Sequence, residues 1–163
     1  MASHNAIITI GLPACGKSTW AAAKGALNFR IIERDLIRSN ICEELGIEFS
    51  WTTWDKSLET RVTELWEREV NAAIADGSDV CLSDTNLNSK YRVLLAERLI
   101  RAGYSVTYVL FDVHPLVCQE RNSLRGPKAV DKIAYKQLVP LFMEAKNNLG
   151  QECSRLGANL LRL

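Results

Sequence analysis

Twenty Lys and Arg stand against 19 Asp and Glu, so the 163-residue chain lacks an excess of either sign and carries a formal charge of +1. That absence excludes a protein that coats nucleic acid through a whole-molecule basic field; any nucleic-acid contact has to be local. No apolar run approaches the roughly 18 residues of a membrane-spanning helix. The opening MASHNAIITIGLPACGKS has no basic stretch ahead of an apolar core, and the two absences together predict a cytoplasmic protein with no membrane partner. Proline (4) and glycine (9) are few and scattered, with no repeat, low-complexity tract or linker, so a single domain over residues 1–163 is expected. The five cysteines, at 15, 42, 81, 118 and 153, are odd in number and far apart. They predict reduced, mostly buried thiols rather than a disulfide framework or a zinc site.

What is present alternates regularly. Ala6 to Ile10 (AIITI) is a short, almost wholly apolar β-branched run ending at Gly11, the pattern of a strand buried on both faces of a parallel sheet. A helix from Lys17 to about Leu27 follows, then a second apolar run, Phe29 to Ile32, and a helical stretch from Arg34 to about Leu45. Lys56 to Ala75 carries Leu58, Val62, Leu65, Trp66, Val70, Ala73 and Ile74, the stripe of a helix with one buried face. Val80 to Leu82 predicts a third strand, Lys90 to Ala102 a helix, Tyr104 to Phe111 a fourth strand, and Pro115 the first turn of another helix. Residues 131–150 are read as a C-terminal helical segment, on the spacing of Ile133, Leu138, Leu141, Phe142, Ala145 and Leu149, and Ala158 to Leu163 as a final strand. Strands alternating with helices predict an α/β fold of three layers, α/β/α, with a parallel sheet of four or five strands. In such a sheet ligands sit beyond the strands' carboxyl ends.

Gly11-Leu12-Pro13-Ala14-Cys15-Gly16-Lys17-Ser18 fits G-x-x-x-x-G-K-[ST] directly between a predicted strand and a predicted helix. A loop of this kind, a P-loop, turns backbone N–H groups and a helix N-terminus onto phosphate oxygens. Lys17 would reach the β- and γ-phosphates, Ser18 a Mg²⁺ ion, and Thr19 extends the cradle. Cys15 lies inside the loop, so a modified thiol there would block nucleotide binding.

Asp35 and Arg38 follow the second strand three residues apart, on one side of a helix start. They are either an ordinary ion pair or a general base with a clamp for an anionic acceptor. Ser83-Asp84-Thr85-Asn86 closes the third strand; Asp84 there either holds Mg²⁺ or makes a capping turn. No Glu follows Asp84 and no N-K-x-D is present, which favours transfer to a bound hydroxyl over hydrolysis or guanine readout. Arg121 and Arg125, four apart before Gly126 and Pro127, are expected on one helix face as a lid over residues 115–130. Trp51 and Trp54 either stack an acceptor base or cover the core, with packing favoured. His4 and His114 have no neighbouring metal or nucleophile pattern.

These blocks, TIGLPACGKSTWA (9–21), RDLIR (34–38), SDTNLN (83–88), FDV (111–113) and RNSLRGPKAV (121–130), resemble the kinase domain of the phage 5′-hydroxyl polynucleotide kinase family. The resemblance covers residues 6–150 and implies a P-loop kinase fold with a helical lid, ATP and Mg²⁺ as cofactors, and transfer of the γ-phosphoryl to a nucleic-acid 5′-OH in repair. It implies that Lys17, Asp35 and Arg125 are catalytic, with Asp35 as base, and that Ser18 and Asp84 face the metal. Gly11 to Thr19, Arg121 and Arg125 would hold the nucleotide, and Asp35, Arg38, Asp84, Thr85 and Asn86 the acceptor. If phage-encoded, such a protein works in the host cytoplasm, and a homo-oligomer is admitted. The D-x-D-G-T signature of the attached phosphatase is absent, so end trimming is not expected. Ala14 and Cys15 depart from the family's loop, and residues 43–54 have no counterpart in it. A nucleoside or sugar kinase, or a nucleotide-binding switch without transfer chemistry, are the alternatives.

Overall fold

The computed structural model describes residues 3–163. Five strands form one parallel sheet: β1 (His4–Ile10), β2 (Arg30–Ile32), β3 (Val80–Leu82), β4 (Tyr104–Leu110) and β5 (Asn159–Arg162), in the spatial order β2-β3-β1-β4-β5. β1 is central, with Ile8 level with Leu82 on one side and Tyr108 on the other. A strand with neighbours at both edges and helices on both faces meets no water, which is why AIITI is apolar throughout. Ile8 and Ile10 are wholly buried.

Six α-helices connect and follow the strands: α1 (Lys17–Gly25), α2 (Arg34–Glu44), α3 (Glu59–Asp76), α4 (Ser89–Arg101), α5 (Pro115–Ser123) and α6 (Lys132–Leu156). The step from β1 to β2 crosses the sheet in the opposite sense to the steps that follow, so right-handed crossovers put α1 on one face and α3, α4 and α6 on the other. In agreement, α4 packs on both β4 and α6. Asn88 caps α4 and Asp131 caps α6, each accepting two backbone N–H bonds. His114 caps α5 through Nδ1, with Pro115 in its first turn; His4 packs against the ring of Tyr104. Both histidines are thus structural.

Two expectations are corrected. The C-terminal helix does not stop near 150: α6 continues through Gly150 to Leu156 and ends where Gly157 takes φ 73°. A glycine inside a helix costs about 1 kcal/mol, and burial of Leu149, Glu152 and Cys153 offsets it. The two lid arginines do not share a helix face. α5 ends at Ser123, and Arg125 lies beyond it, at the start of a 3-10 turn over Gly126–Lys128.

The buried Arg92–Glu152 pair braces the site from behind. Arg92 Nε and Nη2 each donate at 2.8 Å to Glu152, and Nη1 donates at 2.8 Å to the Asn86 carbonyl. It therefore ties α4 and α6 to the segment after β3. All five cysteines are free and buried, as the sequence predicts. Among the described residues no helix is long and apolar enough to cross a membrane.

Candidate active site

The strand order reverses around β1, so the segments leaving β1, β2 and β3 open onto one crevice. The crevice is a cleft of about 1070 Å³ whose walls include Lys17, Ser18, Asp35, Arg38, Asp84, Thr85, Arg121 and Arg125.

Its floor is the loop between β1 and α1. Gly16 adopts φ 105°, a backbone that side chains resist, and starts α1 with no side-chain cap. Its N-terminal N–H groups are left to face the cleft. The cradle is narrower than the motif. The Gly11 amide donates to the Thr85 carbonyl and the Cys15 amide to that of Leu12, while the Leu12 side chain is wholly buried. Pro13, Ala14 and residues 16–19 line the cleft, with Pro13 and Lys17 themselves buried. Lys17 Nζ donates to the carbonyls of Gly11 (3.0 Å) and Leu12 (2.7 Å) and approaches Cys15 Sγ at 3.4 Å. From below, the buried Tyr135 hydroxyl of α6 donates to the Pro13 carbonyl at 2.8 Å, fixing the loop to α6.

Beside the cradle, Glu33 at the end of β2 accepts from Ser18 Oγ (3.0 Å) on one oxygen and from Ser83 Oγ (2.8 Å) on the other. Asp84 Oδ1 accepts the Arg34 amide at 2.8 Å, capping α2 from another strand, while Oδ2 accepts no hydrogen bond among the described residues. Burial pushes the Asp84 carboxyl up to about 6; the Arg34 amide pulls it down and the Glu33 charge pushes it further up. Asn86 belongs elsewhere than expected. Its amide donates to the carbonyls of Thr9 (2.8 Å), Leu82 (3.3 Å) and Asp84 (3.1 Å), at φ 46°, so it shapes the turn behind the cleft instead of facing an acceptor.

Asp35 and Arg38 form the expected i, i+3 pair at 2.6 Å. Arg38 also gives Nε and Nη2 to Glu59 at 2.8 and 3.1 Å, and Glu59 further accepts Arg34 Nη2 (3.1 Å) and Trp54 Nε1 (2.8 Å). The hydrogen bond from Arg38 holds the Glu59 carboxyl down at about 2, against partial burial. Trp51 lies over the Arg38 guanidinium at 4.8 Å and lines the cleft. Trp54 packs edge-on against the buried Phe49. Trp51 packs edge-on against Phe49 as well, so both tryptophans cover that ring, and of the two Trp51 also lines the cleft.

The segment after α5 is held at two points. Asn122 is buried and exchanges two bonds with the Val130 backbone, Nδ2 to its carbonyl at 2.8 Å and Oδ1 from its amide at 2.9 Å. This closes residues 123–129 into a loop that turns Arg125 into the cleft. The Trp51 amide then donates to the Pro127 carbonyl at 3.1 Å, joining this segment to the stretch ahead of α3. Among the described residues neither Arg121 nor Arg125 has a carboxylate partner.

A family model described as an AAA domain, AAA_33, matches residues 7–139. The chain belongs to that family. This AAA domain has the P-loop kinase fold, a parallel five-stranded α/β sheet. A chain of the Pnkp1/Rnl/Hen1 RNA repair complex is similar to it, with TM-score 0.71 and 20% identity over 91% of this chain and 47% of that one. The AAA domain therefore spans under half the length of that relative. A putative kinase from Chloroflexus aurantiacus gives 0.66 at 19% identity, over 100% of this chain and 86% of that one. A gluconokinase from Sinorhizobium meliloti gives 0.55 at 16%, over 100% and 83%.

Sequence reading misses the cleft residues Glu33 and Lys56, the latter exposed, and Glu59, which pairs with the cleft residue Arg38. Glu33 had a usable signal, a carboxylate at the carboxyl end of a short apolar strand. Glu59 had none, because only the packing of α3 against α2 brings it to Arg38, and Lys56 had none, lying in the 3-10 turn Lys56–Leu58 ahead of α3.

Proposed function

We propose that this chain is an ATP-dependent kinase that phosphorylates the 5′-hydroxyl end of a nucleic acid. One observation carries the reading: a P-loop, a carboxylate on the next strand's exit and two unpaired arginines line one cleft. Phosphoryl transfer asks a protein mainly to position reactants and neutralise charge, and these groups are suited to both.

Lys17 and the α1 N-terminus would hold the phosphates, whose oxygens compete with two carbonyls for the Lys17 protons. Ser18 and Asp84 offer hard oxygen donors, a set that fits Mg²⁺ shared with phosphate oxygens and water. Bound there, the ion would offset charge on the β- and γ-phosphates. Asp35 takes the proton of the acceptor hydroxyl as its oxygen attacks the γ-phosphorus and the bond to ADP breaks. Arg125 and Arg121 neutralise the charge that develops on the transferred group. Arg38, oriented by two carboxylates, keeps one Nη1 and one Nη2 proton for a phosphate of the acceptor.

The resemblance in RDLIR and SDTNLN and the Trp51 ring beside Arg38 favour a nucleic-acid acceptor. A second reading, a small-molecule kinase, draws on the pairing of Arg38 and Arg34 with Asp35 and Glu59, which leaves that side of the cleft close to neutral. Incubation with γ-labelled ATP, Mg²⁺ and a panel of 5′-hydroxyl DNA and RNA oligonucleotides, nucleosides and sugars separates the two. Label in the oligonucleotides supports the proposal; label confined to nucleosides or sugars, or none in any acceptor, overturns it.

A further inference from the structure

We propose that Glu33 is a positioning residue that sets the Ser18 hydroxyl for the cation accompanying ATP; the inference rests on the kinase reading above. A serine hydroxyl has a single proton and an ionised carboxylate can only accept. With Ser18 Oγ 3.0 Å from Glu33 Oε1, that proton points at Glu33, and what the oxygen turns elsewhere is lone pair. A ligand hydroxyl must present lone pairs to a cation. Left alone, a serine in the first turn of a helix rotates among several partners, including nearby backbone carbonyls.

The carboxylate is itself held. Its other oxygen accepts from Ser83 Oγ at 2.8 Å, and Ser83 is buried at the end of β3. Its backbone is extended, φ −145° and ψ 128°, where β2 passes into α2. Glu33 thus spans the start of α1 and the ends of β2 and β3, so three sheet-anchored segments fix the direction of one hydroxyl. This is how groups behind a ligand tune a metal site, with typical losses of about 10–100-fold in metal affinity when they are removed. Asp84 does not substitute for it: Oδ1 of Asp84 is committed to the Arg34 amide. Glutamine at 33 would offer one accepting oxygen for two hydroxyls, and its amide would require a lone pair from one of them.

Calorimetric titration of a non-hydrolysable ATP analogue, in Mg²⁺ and again in EDTA, tests this on wild type, Glu33→Gln and Ser83→Ala. Mg²⁺ should tighten binding to wild type. Glu33→Gln should lose about 10-fold or more of that Mg²⁺-supported tightening, with EDTA affinity unchanged or tighter because a negative charge has gone. Ser83→Ala, which frees the carboxylate without removing it, should move the ratio the same way by less. A wild-type Mg²⁺-to-EDTA ratio in Glu33→Gln overturns the role of Glu33 and leaves the kinase reading standing. A wild-type protein that binds no nucleotide, or binds it equally with and without Mg²⁺, overturns both. Should Glu33→Gln fail to fold by circular dichroism, Ser83→Ala decides alone, and an unshifted ratio there overturns the proposal.

Discussion

Arg38 and Glu59 meet fork to fork, Nε to Oε1 at 2.8 Å and Nη2 to Oε2 at 3.1 Å, across 21 residues of sequence. The pair joins α2 to α3 and aims the guanidinium at the cleft. Asp35 takes the remaining side of the fork and Trp51 covers its face, so this side of the cleft is organised around one cation.

Replacing Glu59 by Gln should therefore act on both stability and acceptor binding. The side chains are 11% and 35% exposed, between a fully buried pair and a surface one, so the expected loss is about 1–2 kcal/mol. Denaturant unfolding gives that loss; kinetics should show acceptor KM rising several-fold while ATP KM holds. An equal rise in both would place Glu59 outside the acceptor side.

Stability should also carry the acid signature of Glu59. Its folded carboxyl titrates at about 2, below the ordinary value of 4.5. A depressed carboxylate contributes stability that is fully present above the unfolded value and is lost as pH falls through the folded one. The gap in Tm between wild type and Glu59→Gln should be constant above about pH 5 and close progressively between about pH 4.5 and 2. A gap undiminished at pH 2 would contradict the assignment.

Asp35→Asn removes a proton acceptor while leaving the phosphate cradle intact. Turnover should fall by about 10²–10⁴-fold, with nucleotide affinity within about twofold of wild type. Arg38→Ala should instead weaken acceptors bearing a phosphate 3′ to the reacting nucleotide more than bare nucleosides. Single-turnover rates with labelled ATP and nucleotide titrations read these effects separately.

At Gly11 a methyl group has no room, since a Cβ there would sit 2.7 Å from Cys15 Sγ and 3.1 Å from Phe111 Cβ. Gly11→Ala should lower stability by about 1–3 kcal/mol, the usual range for overpacking, and displace the loop enough to weaken nucleotide binding. Cys15→Ala in the same chain removes the closer clash and should restore part of both. Absence of any rescue would mean that Phe111 is the barrier.

Asn122→Ala strands the amide and carbonyl of Val130, at about 1–3 kcal/mol for unpaired buried groups, and frees the loop that carries Arg125. It should reduce kcat in the same direction as Arg125→Ala, and the double variant should be little worse than Arg125→Ala alone. Additive losses would show that Asn122 does not act through Arg125.

Much of this was legible before folding. Val80–Leu82 is a strand at the residues that its apolar run predicts, and α5 begins at Pro115 as the ring's fixed φ suggests. The apolar spacing that marks the last helix runs out at Leu149, yet the helix continues to Leu156, where Glu152 and Cys153 are buried. Arg121 and Arg125 have helical spacing, yet the bonds of Asn122 to Val130 end the helix first. Asn86 looks in sequence like a site residue beside Asp84, and in the fold its amide donates to the carbonyls of Thr9 and Leu82 instead.

The amino-acid order alone determined the features that act within a few residues. These are the phosphate-binding turn at 11–18, the phase of each buried stripe and hence a parallel α/β sheet, because backbone conformation and hydrophobic period are set by near neighbours. Tertiary structure alone decided which carboxylate serves which partner: Glu33 to Ser18 and Ser83, Glu59 to Arg38, Asp84 to the Arg34 amide. Those pairings join groups 15 to 50 residues apart, and whether two such groups meet depends on strand order and helix packing, which no local pattern records.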